Sequence, residues 1–307
     1  MKRISQLLLA ITLTLFATSC DKNNDKPNPV NPDNPGSGER VTGYFSVSEN
    51  HQVIFAPGNL QWCATGSHFT ALDTSSVSTG VGKWRFAANQ WDMIGEDNDK
   101  VSPSYSGWID FFPWGTSGYG SKQPYNTDDE DPTYGNGPTD IVETLYDWGT
   151  YNEIYNPLTG KTDPPGTWRT MNYYNEWKYL LEERDNARKK YGYGSINGTY
   201  GMILLPDNWT LPSGSTFYSS TDHKTNTYTA EQWKSLENAG AIFLPAAGYR
   251  KWQEIKEVNT DCKYWTGEYD GINFADCIYH NADPGSGMGG YNAYRAEGLT
   301  VRLVKDR

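Results

Sequence analysis

The side chains best suited to chemistry or recognition gather in two runs near the end of the sequence, "CKYWTGEYDGINFADCIYHN" (262–281) and "YNAYRAEG" (291–298). They offer two thiols, Cys262 and Cys277, together with carboxylates, phenols and amides. A close thiol pair can form a disulfide or run redox chemistry, whereas phenols and amides bind ligands by ring contact and hydrogen bonding. Asp270-Gly271 is a strong two-residue turn signal. It predicts a hairpin pairing Tyr269 with Ile272, Gly267 with Phe274, Trp265 with Asp276 and Lys263 with Ile278, an apolar set that faces inward. The opposite face then carries Tyr264, Thr266, Glu268, Asn273, Ala275, Cys277 and Tyr279, which reads either as a recognition surface or as an ordinary solvated face. A loop from Asn281 to Arg295 follows, bearing Tyr291, Asn292 and Tyr294. The same register sets Cys262 against Tyr279 and Cys277 against Tyr264. The two thiols share a face but sit diagonally, roughly 7 to 8 Å apart at Cα. That is slightly beyond disulfide reach unless a bulge shifts the ladder, so the disulfide is left open.

Other chemistries find little support. No HExxH occurs, and His51, His68, His223 and His280 are dispersed. GxSxG is absent. "GSGMGG" (285–290) matches a dinucleotide fingerprint in letters, but no βαβ unit surrounds it and no acidic partner follows about 20 residues on. A glycosidase needs two carboxylates at a set separation, and with so many carboxylates no pair can be chosen. Asp128, Asp129, Glu130 and Asp131 read as a solvated charge run or as part of a calcium site, since hard cations want several oxygens. EF-hand spacing is missing. A structural calcium is therefore open, other metals are unassigned, and no organic cofactor is expected.

The chain has 307 residues and a net charge of −11, with a pI near 4.9 and mean hydropathy of −0.72. Such charge repels nucleic acid and anionic lipid. The 12 Trp, 22 Tyr and 10 Phe beside 31 Gly predict a loop-rich body cored by rings. At the start, "MKRISQLLLAITLTLFATSC" has Lys2 and Arg3, an apolar run from Leu7 to Phe16, and small residues before Cys20. This is the layout of a signal peptide, and the ending on Cys resembles a bacterial lipobox. Residues 1–19 are thus expected to be a lipoprotein signal and Cys20 the lipidated residue. The Pro- and Asn-rich stretch 20–42 cannot bury a core and reads as a disordered tether. A folded body over 43–307 follows.

Several elements must position the reactive runs. "YFSVSENHQVIFAPG" predicts two short strands. "TWRTMNYYNEWKYLLEERDNARKK" predicts the main helix, capped at Thr170 or Asn172 and striped by Tyr173, Trp177, Leu180, Leu181 and Arg184. "GMILLPDNW" predicts a strand, "TAEQWKSLENAG" a helix with Trp233 and Leu236 inward and Gly240 as its stop, and "AIFLPAAGYR" a further strand. Leu299, Val301 and Leu303 alternate with Thr300 and Arg302, predicting a last strand with one buried face.

In that order, "WRTMNYYNEWKYLLEER", "GMILLPDNW", "AGAIFLPAAGYR", "YWTGEYDG" and "GLTVRLVKD" resemble the landmarks of bacterial surface lipoproteins carrying a C-type-lectin-like domain of the formylglycine-generating-enzyme type. The resemblance implies an α+β fold of small antiparallel sheets, two main helices and many long loops, with the terminal strands side by side. Enzymes of that group use a cysteine pair near the C-terminus. This chain lacks their Arg-Gly-Gly-Ser-Trp stretch, so catalysis is not carried over. Other relatives are the variable proteins of diversity-generating retroelements, whose diversified positions would correspond to Asn273, Asp276, His280, Asn281, Tyr291, Asn292 and Tyr294. The expected function is non-catalytic binding of a protein or glycan by a lipid-anchored protein of the outer membrane, exposed at the cell surface. The expected contacts are Tyr264, Thr266, Glu268, Asn273, Tyr279, Asn281, Tyr291, Asn292, Tyr294 and Arg295. Two alternatives stay open: a redox enzyme or divergent hydrolase, and a structural subunit of a surface assembly.

Overall fold

The computed structural model describes residues 40–65, 83–126, 139–281 and 289–307. The expected signal peptide, Cys20, the tether up to residue 39, the acidic run Asp128 to Asp131 and residues 282–288 lie outside them. In chain order the strands are β1 (Phe45–Ser48), β2 (His51–Phe55), β3 (Leu60–Cys63), β4 (Lys83–Phe86), β5 (Ile154–Asn156), β6 (Lys161–Asp163), β7 (Tyr191–Ile196), β8 (Thr199–Leu204), β9 (Asn226–Tyr228), β10 (Ile242–Pro245), β11 (Tyr249–Lys251), β12 (Glu254–Lys256), β13 (Asp261–Tyr269), β14 (Phe274–Asn281), β15 (Gly289–Tyr294) and β16 (Val304–Asp306). Among the described residues they form small separate sheets, ordered β1-β2-β16, β3-β4-β5-β6, β10-β8-β7-β9, β11-β12 and β13-β14-β15. The protein is therefore α+β, with small, mostly antiparallel sheets and few helices.

Local chemistry accounts for most of these elements. β7 and β8 meet at Asn197-Gly198, both with positive φ (49° and 82°), the two-residue turn that matches strand twist. Helix α2 (Ala230–Asn238), which follows the short α1 (Trp148–Tyr151), opens on a full capping box. Thr229 accepts from the Gln232 backbone, and the Gln232 side chain accepts from the Thr229 N–H, satisfying two donors that a helix start leaves bare. Its Trp233 and Leu236 are buried as the periodicity predicts. Gly240 stops it at φ 95°, with the Gly43 Cα 2.9 Å from where a Cβ would stand.

The main helix differs from expectation. Residues Tyr173–Trp177 and Tyr179–Glu183 form two wide turns: the Trp177 N–H donates to the Asn172 carbonyl and the Arg184 N–H to Tyr179, each five residues back. Trp177, Leu180 and Leu181 still face inward. Asn172 holds the cap position without side-chain capping; instead Glu176 reaches back to accept from the Asn172 N–H at 2.9 Å. "AIFLPAAGYR" likewise divides into β10 and β11 rather than forming one strand. Body contacts begin at Arg40, whose neighbour Val41 donates to the Asn238 carbonyl at 2.6 Å.

The core is aromatic, as the composition implies. One cluster packs Trp62, Trp84, Trp114, Trp148, Trp168 and Trp265 with Phe86 and Phe112. A second gathers Phe45, Phe55, Trp177 and Tyr264 beside Leu180, Ile242 and Val304. Indole N–H groups find acceptors inside: Trp114 Nε1 donates to the Thr266 carbonyl at 2.9 Å and Trp265 Nε1 to Phe112 at 2.6 Å.

The last extended segment joins these clusters. Gly298 exchanges backbone hydrogen bonds with Arg250, Leu299 with Phe112, and Val304 with Arg169. Thr300 bonds to Trp265 and Lys263, while the carbonyls of Val301 and Leu303 accept from Leu60 and Ala56. β16 then pairs with β2, so the first and last strands share a sheet. The expected strand over Leu299 to Leu303 is only partly formed, as isolated bridges at Gly298, Leu299 and Thr300 ahead of β16, and the segment is buried on both sides, because Thr300 and Arg302 are as enclosed as Leu299, Val301 and Leu303. Arg302 survives there by donating to the Ala56 carbonyl at 3.3 Å and to the Phe243 carbonyl. Burial lowers its pKa to about 10, which leaves it charged at neutral pH.

Deleting residues 299–307 would leave backbone groups of several sheets buried and unpaired. We expect the truncated body to lose its cooperative thermal transition in near-ultraviolet circular dichroism; a retained sharp transition would contradict this role for the segment.

Candidate binding edge

The C-terminal sheet has the order β13-β14-β15, so β15 is its free edge. This corrects the expected loop: Gly289 to Tyr294 is a strand, pairing Tyr294 with Phe274, Asn292 with Asp276 and Tyr291 with Cys277. The predicted hairpin register is also corrected. Cys262 faces His280, Lys263 faces Tyr279, Tyr264 faces Ile278 and Trp265 faces Cys277; the ladder then shifts, so that Tyr269 faces Ala275. The pairs of Lys263, Trp265 and Tyr269 are each displaced by an odd number of residues, which exchanges the faces, and Gly267 drops out of the ladder.

The odd step is set at the turn, where five residues, 270 to 274, separate Tyr269 from Ala275 instead of the expected two, and residues 266 to 268 then add an even, two-residue bulge on β13. Thr266 Oγ1 donates to the Asp276 carbonyl at 2.8 Å. Gly267 bonds away from the hairpin, its carbonyl accepting from Ile141 and its N–H donating to Met171. A side chain at 267 would strike Val142 at 2.2 Å. Glu268 turns to accept from the backbone N–H groups of Tyr173 and Tyr174 at 2.9 and 3.0 Å. Asp147 pins the adjoining segment by accepting from the Thr170 N–H and hydroxyl, both at 2.9 Å; its own burial raises it to about 6.

The cysteines consequently part company. Cys262 lies in the cluster with Tyr264 and Ile278, and Cys277 in the cluster with Trp265 and Ala275. Both are free, as is buried Cys63. Burial pushes the Cys262 and Cys277 thiols well above their ordinary range, the reverse of a reactive thiolate. The candidate disulfide fails because the longer turn shifts the ladder by an odd step, setting Cys262 opposite His280 and Cys277 opposite Trp265, on opposite faces.

The expected contact residues divide by burial. Tyr264 is core: its hydroxyl donates to the Pro245 carbonyl at 2.9 Å and meets Asn59. Thr266 and Arg295 are buried too, and Arg295 donates to the Ile272 carbonyl at 3.1 Å and lies over the Trp114 ring. His280, a candidate diversified position, is fully enclosed. Asn273, Tyr291, Asn292 and Tyr294 are exposed, while Glu268, Tyr279 and Asn281 are half-buried.

Two groups of residues flank β15. On one side Lys263 Nζ lies 3.4 Å from the centre of the Tyr249 ring, 5.4 Å from Tyr279 and 6.0 Å from Tyr291, with the Asp261 carboxylate 3.8 Å away. Asn281 Nδ2 donates to the Tyr279 hydroxyl at 3.0 Å. An aromatic cage of this kind suits a cation, and here the protein's own lysine fills it. On the other side Gly290 leaves room for the Tyr173 ring, whose atoms lie 2.4 Å from the place a Cβ would occupy. Beyond it stand Tyr174, 62% exposed, and the carboxylates of Asp140, Glu268, Asp270 and Asp276. Burial, helped by Asp270, Glu268 and Asp140, raises Asp276 to about 6. Asn292 Nδ2 donates to Asp270 at 2.8 Å.

No family model matches this chain, and no curated protein or solved structure does either.

Among the described residues no three His, Cys, Asp or Glu side chains converge as metal ligands, and no helix is long and apolar enough to cross a membrane. Concavities of about 280, 230 and 200 Å³ are lined by residues outside the C-terminal sheet. One of them abuts Arg169, whose guanidinium is taken up by Glu176 and Asp306 at 2.7 Å each. Sequence reasoning placed Tyr173 on the helix stripe and missed that Tyr173 and Tyr174 meet the sheet, through the Glu268 carboxylate and, for Tyr173, directly at Gly290.

Beneath the sheet, His223 Nε2 and His280 Nε2 are 2.8 Å apart, with the Tyr193 ring stacked 3.6 Å from His280. One nitrogen must donate and the other accept, so both cannot be protonated there. Burial lowers the His223 pKa. The unfolded chain therefore binds protons near pH 6.5 that the folded pair refuses, and stability falls as pH drops below about 6.5. In urea unfolding, the stability advantage of wild type over His223→Gln should be full above that pH and shrink below it; a difference independent of pH would refute the neutral pair.

Proposed function

We propose that this protein is a non-catalytic, lipid-anchored cell-surface binder that recognises a protein or glycan ligand through the β15 edge. The observation that carries the reading is the arrangement of that edge. Tyr291 and Tyr294, 53% and 46% exposed, and Asn292 stand on a strand whose partner β14 is largely buried, Tyr291 on the Cys277 side and Asn292 with Tyr294 on the Asp276 side. Exposed rings on a rigid support are what recognition surfaces use: they bring large contact area at small cost in side-chain freedom. Under this reading the body has the C-type-lectin-like fold of the formylglycine-generating-enzyme type, Cys20 carries lipid in the outer membrane, and residues 20–42 hold the body away from the bilayer. The burial of Cys262 and Cys277 speaks against the redox alternative.

Tyr291→Ala, Asn292→Ala and Tyr294→Ala combined should weaken binding to a ligand found on a protein or glycan array about tenfold or more, since interface rings dominate affinity. The melting temperature should hold, because these side chains face solvent. Undiminished binding in the triple variant would sink the site. Tyr264→Ala should act differently and cost roughly 3–5 kcal/mol of stability, as emptying a buried aromatic position does, which chemical denaturation would measure.

A further inference from the structure

Asp276 is the exception among the carboxylates at this edge. It sits in the middle of β14 opposite Asn292 and is only 8% exposed. Its backbone carbonyl takes the Thr266 hydroxyl, yet the side-chain carboxylate has no hydrogen bond or ion pair among the described residues. Its acidic neighbours are all engaged: Glu268 with the Tyr173 and Tyr174 N–H groups, Asp270 with Asn292, and Asp140 with the Tyr269 N–H at 3.0 Å. The groups acting on Asp276 are all acidic, and no lysine or arginine offsets them. A carboxylate largely enclosed by the sheet and surrounded by like charges, with no cation to offset them, is unfavourable. Such a group is useful when a cation arrives to pair with it.

The chemistry of the cation can be narrowed. No three potential ligands converge on one point among the described residues, which does not suit a divalent metal. Tyr174 presents an exposed ring at the helix start, where its N–H donates to Glu268 of the sheet, and Asp276 heads the charges that raise its hydroxyl pKa. Carboxylate plus ring is a setting for an ammonium or guanidinium group. The surroundings are open and partly apolar, with Ile272 69% and Tyr294 46% exposed; this resembles the centre of a protein interface more than a small-molecule pocket.

We propose that the notch formed by Asp276, Glu268, Asp270 and Tyr174 receives one lysine or arginine side chain of a protein ligand, with Asp276 as the ion-pair partner. The proposal rests on the reading of β15 as a binding edge and selects protein over neutral glycan. The test uses the full chain and three probes followed by amide NMR: Nα-acetyl-lysinamide, Nα-acetyl-argininamide and neutral Nα-acetyl-glutaminamide. The two cationic probes should give saturable shifts centred on Tyr174, Asp276 and Asn292, and the neutral probe none. Asp276→Asn should weaken the cationic probes about tenfold, the loss expected for a charge-assisted pair. Should that variant fold poorly, Asp140→Asn with Asp270→Asn, both at exposed positions, should still weaken them measurably through the lost field. Equal binding of the neutral probe, full binding by either variant, or displacement of the probes by micromolar calcium would overturn the proposal. If the cationic probes fail while the Tyr291, Asn292 and Tyr294 variant still loses its array ligand, the notch is refuted and the binding edge stands.

Discussion

The backbone between Gly298 and Val304 is the constraint on which the rest of the structure depends. Five separate sheets of a few strands each cannot share one continuous ladder, so their inner backbone groups need another partner. This segment supplies it, bonding in turn to Arg250, Phe112, Trp265, Leu60, Ala56 and Arg169. Because both of its sides are occupied, each residue there must suit two packing environments. Leu299, Val301 and Leu303 complete aromatic clusters, and Arg302 satisfies carbonyls from two sheets. Loops around it can be long because their ends are fixed by this common member.

Buried charge is handled in contrasting ways. Arg302 is enclosed without a carboxylate, and backbone carbonyl dipoles take its protons. Asp110 and Asp147 are enclosed as acceptors of backbone and side-chain donors, an arrangement that fixes loops. Arg169 binds two carboxylates and so ties the wide helix to β16. Each of these groups is explained by what it holds together. Asp276 holds nothing together, which sets it apart at an edge already marked by exposed rings.

Much of the scaffold was legible in residue order. The helix with inward Trp233 and Leu236 and its Gly240 stop, and the early strands, follow from periodicity and turn chemistry. Tyr191 to Ile196 escaped, because a strand written with alternating Tyr and Gly lacks apolar alternation, although Asn197-Gly198 marks its turn. The helix stripe was read correctly while its width was not; over ten residues, apolar spacings of three and four fit a wide turn as well as an α-helix. At the candidate site, the exposed residues of β15 were found and the strand itself was not. The faces of β13 were exchanged because the turn runs over five residues, 270 to 274, rather than two, while Gly267 leaves the ladder for Met171 and Ile141, partners far away in sequence. Local turn signals cannot see such partners. Tyr264 and Arg295 were taken for surface for the same reason.

The late position of the central segment also bears on the order of events in time. A chain delivered from its first residue onward, by a ribosome or through a channel, can form early hairpins such as β1 with β2 and β7 with β8. It cannot close the backbone between sheets until residues 298–304 emerge, and these contacts span long stretches of sequence, which slows their formation. Until then the first aromatic cluster lacks Leu299, Val301 and Leu303, so topology sets its completion at the end of delivery.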